Sequence, residues 1–170
     1  MKQRILLGLL FLSFISFGQT KTVSKNKFFT TKYAGIYSYG KDIEKGRIGT
    51  ILIYPETDST ILFYIELNRG APSYNMGSLY GQVKLKGDTG VFYTRVDDAE
   101  IGCKWTFHFT KNSLRITTVD EENYCGFGYA VFADGKFKRK SNKSADFFYD
   151  LDMKKNYFRT TNPEDYYKTN

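Results

Sequence analysis

Few side chains in this chain have the type and spacing that chemistry requires. His108 is the single histidine. Strict alternation over residues 101–110 puts it on one strand face with Lys104, Thr106 and Thr110, directed to solvent. A general base needs a reacting group within reach, and this setting offers none. The sequence holds no Gly-x-Ser-x-Gly elbow, no His-Glu-x-x-His and no glycine-rich phosphate loop. Glycoside hydrolysis needs only a carboxylate pair, but the acids cluster as Asp97, Asp98 and Glu100 and as Asp120, Glu121 and Glu122, in what read as exposed loops. Both groups border one hairpin, and their oxygens could hold Ca²⁺. Neither follows a calcium-loop spacing, so a solvated acidic rim is expected. One His and two Cys are too few for the usual zinc sites. The expectation is a non-enzymatic protein with no cofactor and no metal.

Export gives the two cysteines their meaning. Lys2 and Arg4 precede an apolar stretch over residues 5–17, and Ser16 and Gly18 supply small residues before Gln19. This is the pattern of a secretory signal peptide, too short for a membrane span, which needs about 20 apolar residues. Cleavage after residue 18 predicts a periplasmic or secreted chain with no membrane span. The short apolar stretch ending in Phe-Gly-Gln resembles exported proteins of the Bacteroidetes. In an oxidising compartment Cys103 and Cys125 are expected to pair as a structural disulfide.

The chain has 170 residues, with 41% hydrophobic and 18% aromatic content, enough to bury a core and too aromatic to stay disordered. The 25 Lys and Arg, less Lys2 and Arg4, against 18 acids leave a mature side-chain charge of +5. That balance suits an acidic partner or surface. No basic run is interleaved with stacking aromatics, so nucleic acid is not expected as a partner. The densest basic stretch, Lys136, Lys138, Arg139, Lys140 and Lys143, reads as an edge strand whose lysines block edge-to-edge pairing.

The elements that must position these residues are strands. Hydrophobic residues recur at every second position from residue 33: Cys103, Trp105, Phe107 and Phe109 on one strand, and Ile61, Phe63, Ile65 and Leu67 on another. Weaker strands are read at 33–39, 47–54, 77–84, 89–96, 113–119 and 129–139. Asp134-Gly135 suggests that the last is two short strands joined by a turn. About eight short strands with short links predict an all-β fold, an antiparallel up-and-down (calycin-like) barrel, preferred over a sandwich because closure removes exposed edges. Residues 19–32 form an N-terminal extension, 33–140 the barrel, and 141–170 an irregular C-terminal tail. The tail's aromatics argue for partial packing, fraying is the alternative, and Pro163-Glu164-Asp165 reads as a short helix start.

A meander sorts its links by end. Links 40–46, 69–76, 97–100 and 120–128 fall at one end, and the tighter links 55–59, 86–88, 111–112 and 133–135 at the other. Long loops on a rigid scaffold are where binding sits. The first end therefore supplies the candidate binding residues: Arg69, Ser73, Tyr74, Asn75 and Met76 from one loop, and Tyr124 and Phe127 flanking the Cys125 tether. Arg, Tyr, Met and Phe are the residue types of protein-contact surfaces.

Gly35-Ile36-Tyr37, Cys103 opening a Trp/Phe strand, and Cys125-Gly126-Phe127-Gly128 followed by Asp134-Gly135-Lys136-Phe137 resemble small exported bacterial β-barrel proteins of uncharacterised function, over residues 33–139. More distantly, size, export signal and one disulfide are similar to lipocalin-like carriers and periplasmic lysozyme inhibitors. Tyr37 stands where lipocalins carry the tryptophan of Gly-x-Trp, and the Ser-Gly-x-x-Tyr loop of the membrane-bound lysozyme inhibitors is absent. A basic chain also opposes binding to cationic lysozyme. The leading expectation is a module that contacts a protein partner through the long loops, of inhibitor or immunity type. The second is a carrier of a small apolar ligand inside the barrel, which needs a cavity; the bulky inward side chains predict a filled interior instead.

Overall fold

The computed structural model describes residues 28–95 and 102–166. The expected signal peptide and the acids Asp97, Asp98 and Glu100 lie outside the described residues. The fold is all-β: eight antiparallel strands close into one barrel in sequence order. They are β1 (Gly35–Tyr39), β2 (Ile48–Pro55), β3 (Thr60–Asn68), β4 (Met76–Lys86), β5 (Thr89–Thr94), β6 (Cys103–Phe109), β7 (Ser113–Asn123) and β8 (Gly135–Ser141). The barrel closes where β8 pairs with β1, Arg139 opposite Tyr37.

Inside and outside follow the pleat. Cys103, Trp105, Phe107 and Phe109 are all buried, as are Ile61, Phe63, Ile65 and Leu67. Phe63 meets Phe92 edge-to-face at 5.0 Å and Phe107 at 5.0 Å, and Phe92 meets Trp105 at 5.4 Å. Gly81 leaves room for this cluster, since a Cβ there would lie 2.5 Å from the Phe92 ring. Interior volume is thus occupied by aromatic rings. The disulfide Cys103–Cys125 joins the start of β6 to the segment after β7.

Strand β3 is buried on both faces over residues 61–65. Its outward Leu62 and Tyr64 are as hidden as its inward residues because the C-terminal segment folds over them. That segment forms β9 (Phe147–Tyr149), β10 (Lys155–Tyr157) and the short helix α1 (Pro163–Tyr166). Phe148 stacks on Tyr64 at 4.2 Å, Phe158 stacks on Tyr54 at 5.3 Å, and Tyr166 meets Tyr80 edge-to-face. The Tyr80 hydroxyl donates to the Thr161 carbonyl at 2.9 Å. The turn between β9 and β10 closes on Asp150, whose carboxylate accepts from the Asp152 and Lys154 amides and the Asn156 side chain. The described part of the tail is therefore packed, with short strands of its own.

Two expectations are corrected. Strand β8 is not an edge: it pairs with β7 and with β1. Asp134-Gly135 makes no turn between strands; residues 124–134 are one connection from β7 to β8. The Asp134 carboxylate instead accepts from the Thr118 amide and hydroxyl, at 2.8 and 2.6 Å, pinning the connection to β7.

Candidate functional site

Antiparallel order sends the connections 40–47, 69–75 and 124–134 to one rim, where β5 also ends and β6 begins, and 56–59, 87–88 and 110–112 to the other. The expected asymmetry of length holds, and removal of the supposed turn at 133–135 strengthens it. Asp120, Glu121 and Glu122 lie on the end of β7 rather than in a loop.

The tight rim is plugged from below. Residues Phe29–Tyr33 form a 3₁₀ turn before β1. The Tyr33 ring packs on Phe109 at 4.5 Å, and its hydroxyl donates to the Gly87 carbonyl at 2.9 Å. The Tyr37 hydroxyl donates to the Tyr33 carbonyl at 2.7 Å and accepts from Arg139 Nε at 2.9 Å.

At the long-loop rim three connections are bonded to one another. In the 69–75 loop the Ala71 amide donates to the Ile43 carbonyl at 3.0 Å. Gly70 has φ +80°, and a Cβ there would lie 2.3 Å from the Gly46 carbonyl oxygen, so only glycine permits this approach. Tyr74 is the one residue of this loop other than glycine with a left-handed backbone, φ 51°. Such a conformation costs an aromatic residue about 1–2 kcal/mol. It is held by the Tyr74 amide donating to the Gly70 carbonyl, by Asn68 Nδ2 donating to the Tyr74 carbonyl, and by the Tyr74 hydroxyl donating to the Glu44 carboxylate at 2.6 Å. The bond to Glu44 raises the Tyr74 pKa.

The 124–134 connection joins the same assembly. The Gly128 amide donates to the Met76 carbonyl at 3.0 Å, and Asn75 Nδ2 donates to the Tyr129 carbonyl at 2.9 Å. Arg69 lies over the Tyr129 ring, 5.6 Å from its centroid. Val131 and Ala133 are buried and complete the core at this end.

The structure therefore brings Arg69, Tyr74, Asn75 and Met76 together with residues 127–129. Ser73 is exposed at the tip of its loop. Phe127 turns inward, half-buried against Trp105 at 5.9 Å and against Gly77. Tyr124 is exposed beside the disulfide, its amide donating to the Gly102 carbonyl at 3.0 Å. Sequence reasoning did not single out Glu44, Tyr129 or Phe132. Tyr129 is the most exposed aromatic of the loop, at 81%. The sequence places it in the strand expected over 129–139, and the Gly126-Phe127-Gly128 punctuation before it is the available signal for a loop.

His108 faces solvent, as its strand phase requires, with Nε2 3.9 Å from Asp88 Oδ2 and both side chains more than half exposed. At that distance the two share no hydrogen bond. Comparison of the chain with protein-family models, with curated proteins and with solved structures finds no match.

Proposed function

We propose that this protein is a non-enzymatic binding module that contacts a protein partner through the long-loop rim, as an inhibitor or immunity protein does. The observation that supports this most is the cross-bonding of the 40–47, 69–75 and 124–134 connections into one plate. The plate exposes Tyr74, Met76, Tyr129 and Phe132 with Arg69 beside them. Aromatics, Met and Arg are enriched at the energetic centres of interfaces. Rigid loops also lose little entropy when they dock. The disulfide and the tyrosine-rich, tightly closed barrel are compatible with an exported chain, and we read the localisation as periplasmic or secreted.

The carrier reading receives less support, because Phe63, Phe92, Trp105, Phe107 and Phe109 occupy the interior. A carrier of this size needs a lined hollow for its ligand.

The test is affinity capture of periplasmic and neighbouring-cell proteins on the mature chain, followed by Arg69→Ala, Tyr74→Ala and Tyr129→Ala measured against the captured protein. Hot-spot truncation predicts at least a tenfold loss for one or more of the three, about 1.4 kcal/mol. Thermal stability should stay near that of the parent chain for Arg69→Ala and Tyr129→Ala, whereas Tyr74→Ala also loses the bond to Glu44. Binding that survives all three substitutions overturns the reading.

A further inference from the structure

The lysines of β8 need a reason other than edge protection, because β8 has a strand on each side. The register shows where they stand. Lys86 is opposite Thr89, Thr89 opposite His108, His108 opposite Arg115, and Arg115 opposite Lys136. One outward row thus crosses five neighbouring strands, β4 to β8, and all five residues are exposed. Four steps of about 4.8 Å make the row about 19 Å long. From Lys136 a second line runs along β8 through Lys138 and Lys140, both exposed, at about 6.7 Å per step.

Around the row and along β8 the charge is one-sided. Residues 102–119 and 135–144 contain no Asp or Glu. Asp88, beside His108, borders the row, and the acids of β7, Asp120, Glu121 and Glu122, come farther along that strand, past Val119. Arg115 and Lys136 are directly opposed like charges, an arrangement that destabilises a sheet. Where the line along β8 reaches the tight rim, a recess of about 390 Å³ opens, lined by Asn112, Arg139, Lys140, Ser141, Asn142 and Lys143.

The rest of the wall selects among anions. On β5 the wall exposes Val91 and Tyr93, but among the described residues β6, β7 and β8, which carry most of the cations, expose no large hydrophobic residue. A bilayer-binding face needs apolar anchors, single-stranded nucleic acid needs stacking rings, and a protein hot spot needs a buried aromatic centre. Between the cations of β6, β7 and β8 stand Thr106 and Thr117 instead, with the Asn112 and Asn142 amides at the recess. Cations interleaved with hydroxyls and amides suit a chain of sugars bearing sulfate or carboxylate groups.

We propose that this wall binds a linear acidic polysaccharide, laid along the Lys86–His108–Arg115–Lys136 row and turning down β8 to the recess. The surface is separate from the long-loop rim and does not depend on the function proposed for that rim.

Heparin serves as the sulfated-glycan probe, with the mature chain at about 50 and 200 mM salt. Lys136→Glu replaces a like-charge pair with an opposite-charge pair across β7 and β8, so it should leave the melting temperature unchanged or raise it. The same substitution should weaken heparin binding at least tenfold, and Arg115→Gln should weaken it severalfold. Lys45→Glu changes the net charge equally, away from the wall, and should weaken binding no more than about twofold. The proposal is overturned if heparin does not bind at 50 mM salt, or if Lys45→Glu matches Lys136→Glu. It is equally overturned if anionic-lipid vesicles, polyglutamate or a single-stranded oligonucleotide bind more tightly than heparin.

Discussion

The Phe127 ring occupies the space that a side chain at Gly77 would fill: a Cβ on Gly77 would lie 2.5 Å from it. Glycine at the top of β4 thus lets the 124–134 connection settle on the barrel mouth. Gly77→Ala should lift Phe127 off Trp105 and destabilise the fold by about 1–3 kcal/mol, as overpacking does. Hydrogen exchange should locate the loss in residues 124–134 and spare β2 and β3. Uniform loss of protection through the barrel would contradict this.

The disulfide ties that same connection to β6 across a sequence separation of 22 residues. On the chain-entropy account, a loop of this size contributes about 3 kcal/mol. Cys103→Ser with Cys125→Ser should lower stability in denaturant by that order and leave the strand spectrum intact below the transition. A midpoint equal to that of the parent protein would show that the bridge adds nothing.

Phe158 is wholly buried between Tyr54 and Phe148 outside the barrel. Phe158→Ala removes about 3–5 kcal/mol of packing where the structure cannot collapse. We expect the outer layer to detach first, since Trp105 and the interior rings do not touch it. Limited proteolysis should then cut within residues 142–166, with the near-ultraviolet signal of Trp105 retained. Simultaneous loss of that signal would show that layer and barrel unfold as one.

Alkaline stability follows from the same layer. Burial is the main cause raising the pKa of Tyr64, to about 12. It also raises Tyr80 and Tyr166 well above the ordinary value of 10.0. The folded chain therefore holds these phenolic protons more tightly than the unfolded chain. This contribution is complete below pH 10 and is lost as pH rises through the folded values. Melting temperature should fall from about pH 10 upward, and absorbance at 295 nm should show tyrosines that ionise only on unfolding. A melting temperature flat from pH 9 to 12 would sink this account.

Particular residues show how much was legible. Trp105, Phe107 and Phe109 alternate with Lys104, Thr106 and His108, and a pleated strand has no other way to separate them. Strand phase, barrel order and the crowding of long connections at one rim all followed from that alternation, and the cysteine pair followed from the export signal. Leu62 and Tyr64 were harder, because they break it; only a second layer explains why they are hidden, and residues 147–166 carry too little periodicity to announce one. Of the candidate site, Arg69, Tyr74, Asn75 and Met76 were found through loop length. Tyr129 and Glu44 were not, because their roles depend on which loops touch.

Local chain chemistry thus fixed each segment's extended form and inward face, since both depend on neighbours two positions away. Folding in three dimensions decided which outward positions meet: β8 sealed against β1, Lys86, His108, Arg115 and Lys136 in one row, and the C-terminal layer over β3. Those outcomes depend on register and on contacts between residues far apart in the chain. A pattern of period two is unchanged when a whole strand slides by two residues, so register had to come from packing.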